Sequence, residues 1–147
     1  MTKNQPGTID QQLCFSLYSA SLAMTQLYKP LLEPLGLTYA QYLIMLILWE
    51  KDGISLKDIG ERLGQKSGAL TPVLKRLEQD ALVERIRDTR DERALSIKLT
   101  TKGDAMRHEA ASVGPCIARA CGMPLPDLID LKARLDLLRS NLHAGQE

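Results

Sequence analysis

A chain of 147 residues that is 44% hydrophobic but only 4% aromatic is read as a single domain, residues 1–147, with a core of Leu, Ile, Val, Ala and Met. A net charge of +1 excludes a nonspecific polyanion-coating protein, which would be far more basic. Three cysteines, an odd number, follow a polar N-terminus with no hydrophobic targeting segment, and point to thiols in a reducing cytoplasm rather than a disulfide framework. The apolar run Tyr42–Trp49 is far shorter than a membrane span, so no membrane partner is expected.

Thr8 and Gln11 form a capping box for a first long helix. Along it Leu13, Leu17, Ala20, Met24, Leu27 and Leu31 recur at alternating spacings of four and three, a narrow a/d-like seam. Beside the seam runs a second stripe, Cys14, Tyr18, Ser21, Thr25 and Tyr28, in which every member carries a hydroxyl or a thiol. Pro30 and then Pro34-Leu35-Gly36 end or kink this helix. A second capping box, Thr38 with Gln41, opens a helix that is apolar nearly all round and reads as the central core helix. Asp52-Gly53 breaks it, and Ile54 is expected to add one short strand.

Ser55 then caps a short helix with Asp58 at its third position, and Ile59 and Leu63 face inward. Gly64-Gln65-Lys66 makes a break, and Ser67 is the expected N-cap of the next helix. That helix carries Leu70, Val73, Leu74 and Leu77 on one side, and Thr71, Lys75, Arg76 and Gln79 on the other. Two helices joined by three residues containing glycine are the signature of a helix-turn-helix, although an ordinary αα-hairpin has the same loose pattern. Two strand-like runs follow, Leu82–Arg87 and Ala94–Leu99, around the polar tip Asp88-Thr89-Arg90-Asp91-Glu92-Arg93. A helix followed by an arginine-tipped hairpin suits double-stranded operator DNA, with the helix in a major groove and the tip on phosphates or in the minor groove. Between Lys57 and Lys98 ten Lys/Arg face eight Asp/Glu, so arrangement rather than charge carries this reading. Lys66, Lys75, Arg76, Arg90 and Arg93 are expected on exposed edges, with Asp91 and Glu92 holding the arginines.

Thr100 caps a helix from about Thr101 to near Cys121, kinked at Gly114-Pro115. Gly122-Met123-Pro124-Leu125 forms a rigid break, and Pro126 is placed at the first position of the last helix. There Leu128, Leu131, Leu135, Leu138 and Leu142 make a second narrow seam. One chain can fold both seams onto its own core. The preferred reading is an intertwined homodimer with dimerisation helices at 8–35 and 101–143 and a DNA-binding region at 54–100, because such a reader needs two half-sites. The fold class is thus mainly α with a small β-wing, a winged helix-turn-helix.

This order of elements resembles the multiple-antibiotic-resistance regulator (MarR) family of winged-helix repressors across nearly the whole chain. Asp88-x-Arg90-Asp91-x-Arg93 followed by Leu99-Thr100 is similar to that family's wing signature. The closer resemblance is to its organic-hydroperoxide-sensing branch. It is carried by Gln12-Leu13-Cys14-Phe15, Leu17-Tyr18, Tyr28-Lys29-Pro30-Leu31-Leu32, Leu37-Thr38-Tyr39, Gln41-Tyr42-Leu43 and Leu48-Trp49-Glu50. Ser67-Gly68-Ala69-Leu70-Thr71-Pro72 and Leu74-Lys75-Arg76-Leu77 continue it. The resemblance implies that Cys14 is a peroxide sensor, and that Tyr18, Tyr28 and Tyr39 surround and hydrogen-bond it, some from the opposite subunit. It implies an intersubunit disulfide with a C-terminal resolving thiol, for which Cys121 fits the pattern better and Cys116 is the alternative. It also places Ser67, Ala69, Thr71, Pro72, Lys75, Arg76, Arg90 and Arg93 on DNA, with organic hydroperoxides as oxidant and no cofactor.

The chemistry needs a thiolate, yet no Lys, Arg or His lies between Lys3 and Lys29. Activation of Cys14 therefore falls to hydrogen bonds, with Tyr18 one helical turn away. Leucine and aromatic neighbours would favour lipophilic peroxides. A buried inert cysteine is the alternative role for Cys14. Met24 and Met45 sit at core spacing, His108 and His143 on polar faces. Two other functions compete. A repressor released by a phenolic ligand or a metal is one, although Cys116, Cys121 and His108 fit no tight metal site. A thiol peroxidase is the other, but it would need a cation-activated cysteine, so the chain is not expected to be an enzyme.

Overall fold

The computed structural model describes residues 7–87 and 95–145. The chain falls into two compact units, Met1–Val113 and Gly114–Glu147.

In the first unit a short 3-10 turn, Ile9–Gln11, precedes helix α1, Leu13–Leu32. The Thr8–Gln11 box therefore caps the short turn and not the long helix, with the Gln11 side chain accepting from the Thr8 amide at 3.4 Å. Pro30 does not end α1; the helix runs two residues further, and a second 3-10 turn at Glu33–Leu35 closes on Gly36 in the left-handed region. Helix α2, Tyr39–Glu50, begins at the expected box, with Gln41 N donating to Thr38 Oγ1 at 3.2 Å and Thr38 N to Gln41 Oε1 at 2.9 Å. Its Ile44, Met45 and Leu48 are all but inaccessible, so α2 is the core helix the pattern predicts.

Strand β1 (Ile54–Ser55), helix α3 (Leu56–Leu63), helix α4 (Ser67–Gln79) and strands β2 (Val83–Arg87) and β3 (Leu95–Leu99) follow. The sheet is antiparallel in the order β1-β3-β2, with Ile54 opposite Ile97, Val83 opposite Leu99 and Arg85 opposite Ile97. The alternation read for β3 holds: Ile97 and Leu99 are buried and Lys98 is exposed. Asp52 fixes the base of this sheet, its Oδ1 accepting from Leu99 N at 2.8 Å and from Gly53 N at 2.9 Å.

Helix α5, Thr101–Ala110, starts on the Thr100 cap, whose side chain accepts from Gly103 N at 3.0 Å. The same threonine donates to Ala81 O at 2.7 Å, and Lys102 donates to Asp80 O at 3.1 Å. The turn between α4 and β2 is thereby clamped onto the start of α5. Gly103 makes this approach possible, since a Cβ there would stand 2.1 Å from Leu82 O. Its own carbonyl accepts from Trp49 Nε1 at 3.0 Å.

The single kinked helix read between Thr101 and Cys121 is instead two. Helix α6, Val113–Ala120, starts afresh after Ala111-Ser112, because Pro115 has no amide to donate and is tolerated only in a first helical turn. The second unit holds most of α6 and helix α7, Leu125–Ala144. Pro126 is the second residue of α7 and not the first, since Pro124 occupies the N-cap. The polar side of α7 carries the ion pairs Lys132–Asp136 (2.6 Å) and Arg134–Asp130 (3.0 Å).

Candidate DNA interface and thiol site

The turn between α3 and α4 is built by glycines and one cap. Asp58 N donates to Ser55 Oγ at 3.0 Å, opening α3 as expected. Gly60 lets the Gln65 carbonyl pass where a Cβ would lie 2.5 Å from it, and Gly64 ends α3 with φ 68°. The expected cap of α4 is corrected: Lys66 holds the N-cap position, extended at φ −74°, ψ 150°, and Ser67 is already the first helical residue. The cap is thus one residue early, because the three-residue break includes a residue that contributes only its carbonyl, to which Ala69 N donates at 3.0 Å.

Helix α4 buries Leu70, Leu74 and Leu77 at 2% exposure or less, together with Ile59 of α3. Everything proposed for contact on this helix lies on its open side: Ser67, Ala69, Thr71, Pro72, Lys75 and Arg76 are all exposed. Two side chains there are engaged. Thr71 Oγ1 donates to Ser67 O at 3.0 Å, and Arg76 approaches Asp80 at 3.6 Å. Arg85 of β2 is tied to Glu78 at the end of α4, which docks the wing against the helix. Arg90 and Arg93, with Asp91 and Glu92, lie outside the described residues.

Cys14 sits in the first turns of α1 and is exposed; Cys116 and Cys121 are half-buried in the second unit, and all three thiols are free. Tyr18 is 68% exposed, and Leu13 beside the thiol 62%. Tyr28 and Tyr39 are held elsewhere. Their rings pack at 4.9 Å, and Tyr28 packs on Tyr42 at 5.7 Å, which in turn meets the edge of Trp49 at 6.5 Å. At 1.5 Å per helical residue, Cys14 and Tyr28 are about 21 Å apart on α1, so α1 does not bring Cys14 and the Tyr28 phenol of one chain together. Burial raises Tyr39 above the ordinary tyrosine value, and burial with the neighbouring Tyr39 raises Tyr42, so both stay neutral donors around pH 7. Arg119 Nη2 donates to Cys116 Sγ at 3.8 Å, a pairing the sequence reading passed over although the spacing is one helical turn. Beside Tyr39 lies a cavity of about 360 Å³, walled by Leu32, Leu37 and Tyr39 with Thr25, Thr38 and Lys29. Residues from two helices and the turn between them line it, so no local pattern marked it in advance.

A family model described as transcriptional regulator SarA/Rot matches residues 26–109, from the end of α1 to the end of α5. The organic hydroperoxide resistance transcriptional regulator of Bacillus subtilis (strain 168) is 43% identical over 135 residues, 92% of each chain. The chain is a MarR-family winged-helix transcriptional regulator. It is a homologue of that Bacillus subtilis regulator. The regulator TtmR of Methylorubrum extorquens (strain PA1) is also 43% identical, over 97% of this chain and 73% of its own. Among solved structures, reduced AbfR bound to DNA superposes with a TM-score of 0.80 at 36% identity, over 95% of each chain; AbfR is a Staphylococcus epidermidis protein. Its disulfide form superposes less well, at 0.62 over 95% and 93%. This MarR-family chain has a DNA-binding fold, and its relatives are transcriptional regulators. No group of three or more His, Cys, Asp or Glu suited to a metal occurs among the described residues. No single helix there is long and apolar enough to cross a membrane.

Proposed function

We propose that the protein is a homodimeric repressor that binds operator DNA when reduced and releases it when organic hydroperoxides oxidise Cys14. The observation that carries this reading is an open thiol at the start of α1, in a chain 43% identical to an organic hydroperoxide resistance regulator. The Cys14 thiolate attacks one peroxide oxygen, the O–O bond breaks, and the alcohol leaves after taking up a proton, so that sulfur is oxidised to a sulfenic acid. The Cys121 thiol then displaces that hydroxyl as water and closes a disulfide to the partner subunit. A second subunit would also answer the distance along α1: Tyr18 lies one turn from Cys14 in the same chain, whereas Tyr28 does not, so Tyr28 and Tyr39 are assigned to the thiol from the partner. DNA contact falls to Ser67, Ala69, Thr71, Pro72, Lys75 and Arg76 on α4 and to Arg90 and Arg93 at the wing tip.

The test is operator release by cumene hydroperoxide, read beside a nonreducing gel. Wild type and Cys116→Ser should release DNA and show a reducible dimer band. Cys121→Ser should form the sulfenic acid without that band, and Cys14→Ser should stay bound. Release from Cys14→Ser would overturn peroxide sensing; a crosslink in Cys121→Ser that is lost in Cys116→Ser would move the resolving role to Cys116. The cavity beside Tyr39 favours a second reading, release by a phenolic ligand, which would act equally on Cys14→Ser.

A further inference from the structure

Four glycines lie inside helices of the described residues: Gly60, Gly68, Gly103 and Gly114. A helical glycine weakens its helix, so each needs a reason. Gly60 and Gly103 have one in the carbonyls of Gln65 and Leu82, which leave no room for a Cβ. Gly114 has one in Pro115, whose ring crowds any side chain on the residue before it. Gly68 has none inside the molecule, because a Cβ there would meet nothing within 4 Å. Its position supplies one from outside. At about 100° per residue it stands almost directly opposite the buried Leu70 and Leu77, in line with Pro72 and Lys75 on the open side. Lys75, the first long cationic side chain in that line, lies about 10 Å further along the axis.

We propose that Gly68 is the point where α4 rests against a base, and that the base is a thymine whose C5 methyl fills the space a side chain would take. The proposal rests on the reading that α4 enters a major groove. Helices of this kind meet base edges with their N-terminal residues, and Gly68 is the second residue of α4. The surround is apolar: the Ala69 methyl, the Pro72 ring and the Thr71 methyl, the Thr71 hydroxyl hydrogen being used on Ser67 O. Guanine, adenine and cytosine present only donors and acceptors in the major groove, which such a seat leaves unpaired, whereas thymine sets a C5 methyl beside its O4 acceptor and the methyl is satisfied by apolar contact. Ser67, about 100° round the helix, is the one neighbouring hydroxyl able to reach past the methyl.

The experiment uses the reduced full-length dimer and a duplex that the wild-type protein selects from random DNA. Affinities of wild type, Gly68→Ala and Lys75→Ala are measured on that duplex, and again with single thymines replaced by uracil, which lacks only the methyl. Gly68→Ala should bind at least tenfold more weakly than wild type while melting no lower. At one symmetric pair of positions uracil should weaken wild type yet recover binding by Gly68→Ala. Wild-type affinity in Gly68→Ala beside a loss in Lys75→Ala would overturn the seat and leave the DNA-reading helix standing. A loss in Gly68→Ala that no uracil position relieves would also overturn it. Failure of the wild-type protein to select any duplex would overturn both readings.

Discussion

At Gly103 no residue with a side chain fits, and the reason is two contacts that share one position. The Leu82 carbonyl lies where a Cβ would be, and the Trp49 indole donates to the Gly103 carbonyl, so neither neighbour is free to retreat. Gly103→Ala should lower stability by about 1–3 kcal/mol, the usual cost of overpacking, seen as a lower denaturant midpoint at unchanged slope. Ala81 shows the opposite strain. It holds φ 59° in the left-handed region, and the Thr100 hydroxyl on its carbonyl helps to keep it there. A third residue sets a pH response. Burial and Tyr39 raise the folded pKa of Tyr42 above the unfolded value near 10, so the unfolded chain loses its phenolic proton first. The stability this represents is complete below about pH 10 and is lost as pH rises through that value toward the folded pKa. Tyr42→Phe should therefore show a smaller fall in urea midpoint between pH 8 and pH 10.8 than wild type does.

The elements that the chain announces most clearly are those whose signal is local. Thr38 with Gln41, Ser55 with Asp58, and Thr100 before Gly103 each cap a helix where their spacing says they should. The alternation from Leu95 to Leu99 likewise survives in the sheet. What the sequence hid depends on partners distant in the chain: Asp52 on the Leu99 amide, Trp49 on Gly103, and the Asp80–Leu82 turn held by Thr100 and Lys102. The helix ends at Ser67 and Pro126 lie one residue from where the sequence puts them, because Lys66 and Ser67, and likewise Pro124 and Pro126, compete for one cap. Arg90 and Arg93, between β2 and β3 in the sequence, let the DNA reading be tested apart from α4. Arg93→Ala, and less strongly Arg90→Ala, should weaken operator binding by about 1–3 kcal/mol per half-site with the dimer intact. Titration at matched salt decides it: unchanged affinity in both variants would take the wing out of the interface.

At the scale of the whole molecule the informative feature is apolar surface left open in each unit. On α1 it comprises Leu13, Tyr18, Leu22, Met24 and Leu27; Met24, read as packing, is 42% exposed within one chain. On α7 it comprises Leu125, Ile129, Leu131, Leu135, Leu137 and Leu142. Soluble monomers rarely leave this much apolar side-chain surface uncovered. The a/d-like seams were legible from spacing alone, but spacing does not say whether a seam faces its own core or a second chain; exposure favours the second. A second copy is the occupant that also gives a helix-turn-helix its two half-sites, and the closed two-fold arrangement covers the same patch on both subunits at once. Because each substitution then appears twice in a symmetric interface, one buried charge has a doubled effect. Leu135→Asp should convert the dimer to monomer or aggregate by light scattering, at a cost of several kcal/mol for two desolvated carboxylates. The circular dichroism of the first unit's helices should persist, and operator affinity should fall to that of a single half-site. A stable Leu135→Asp dimer with full operator affinity would show that the α7 seam lies outside the interface.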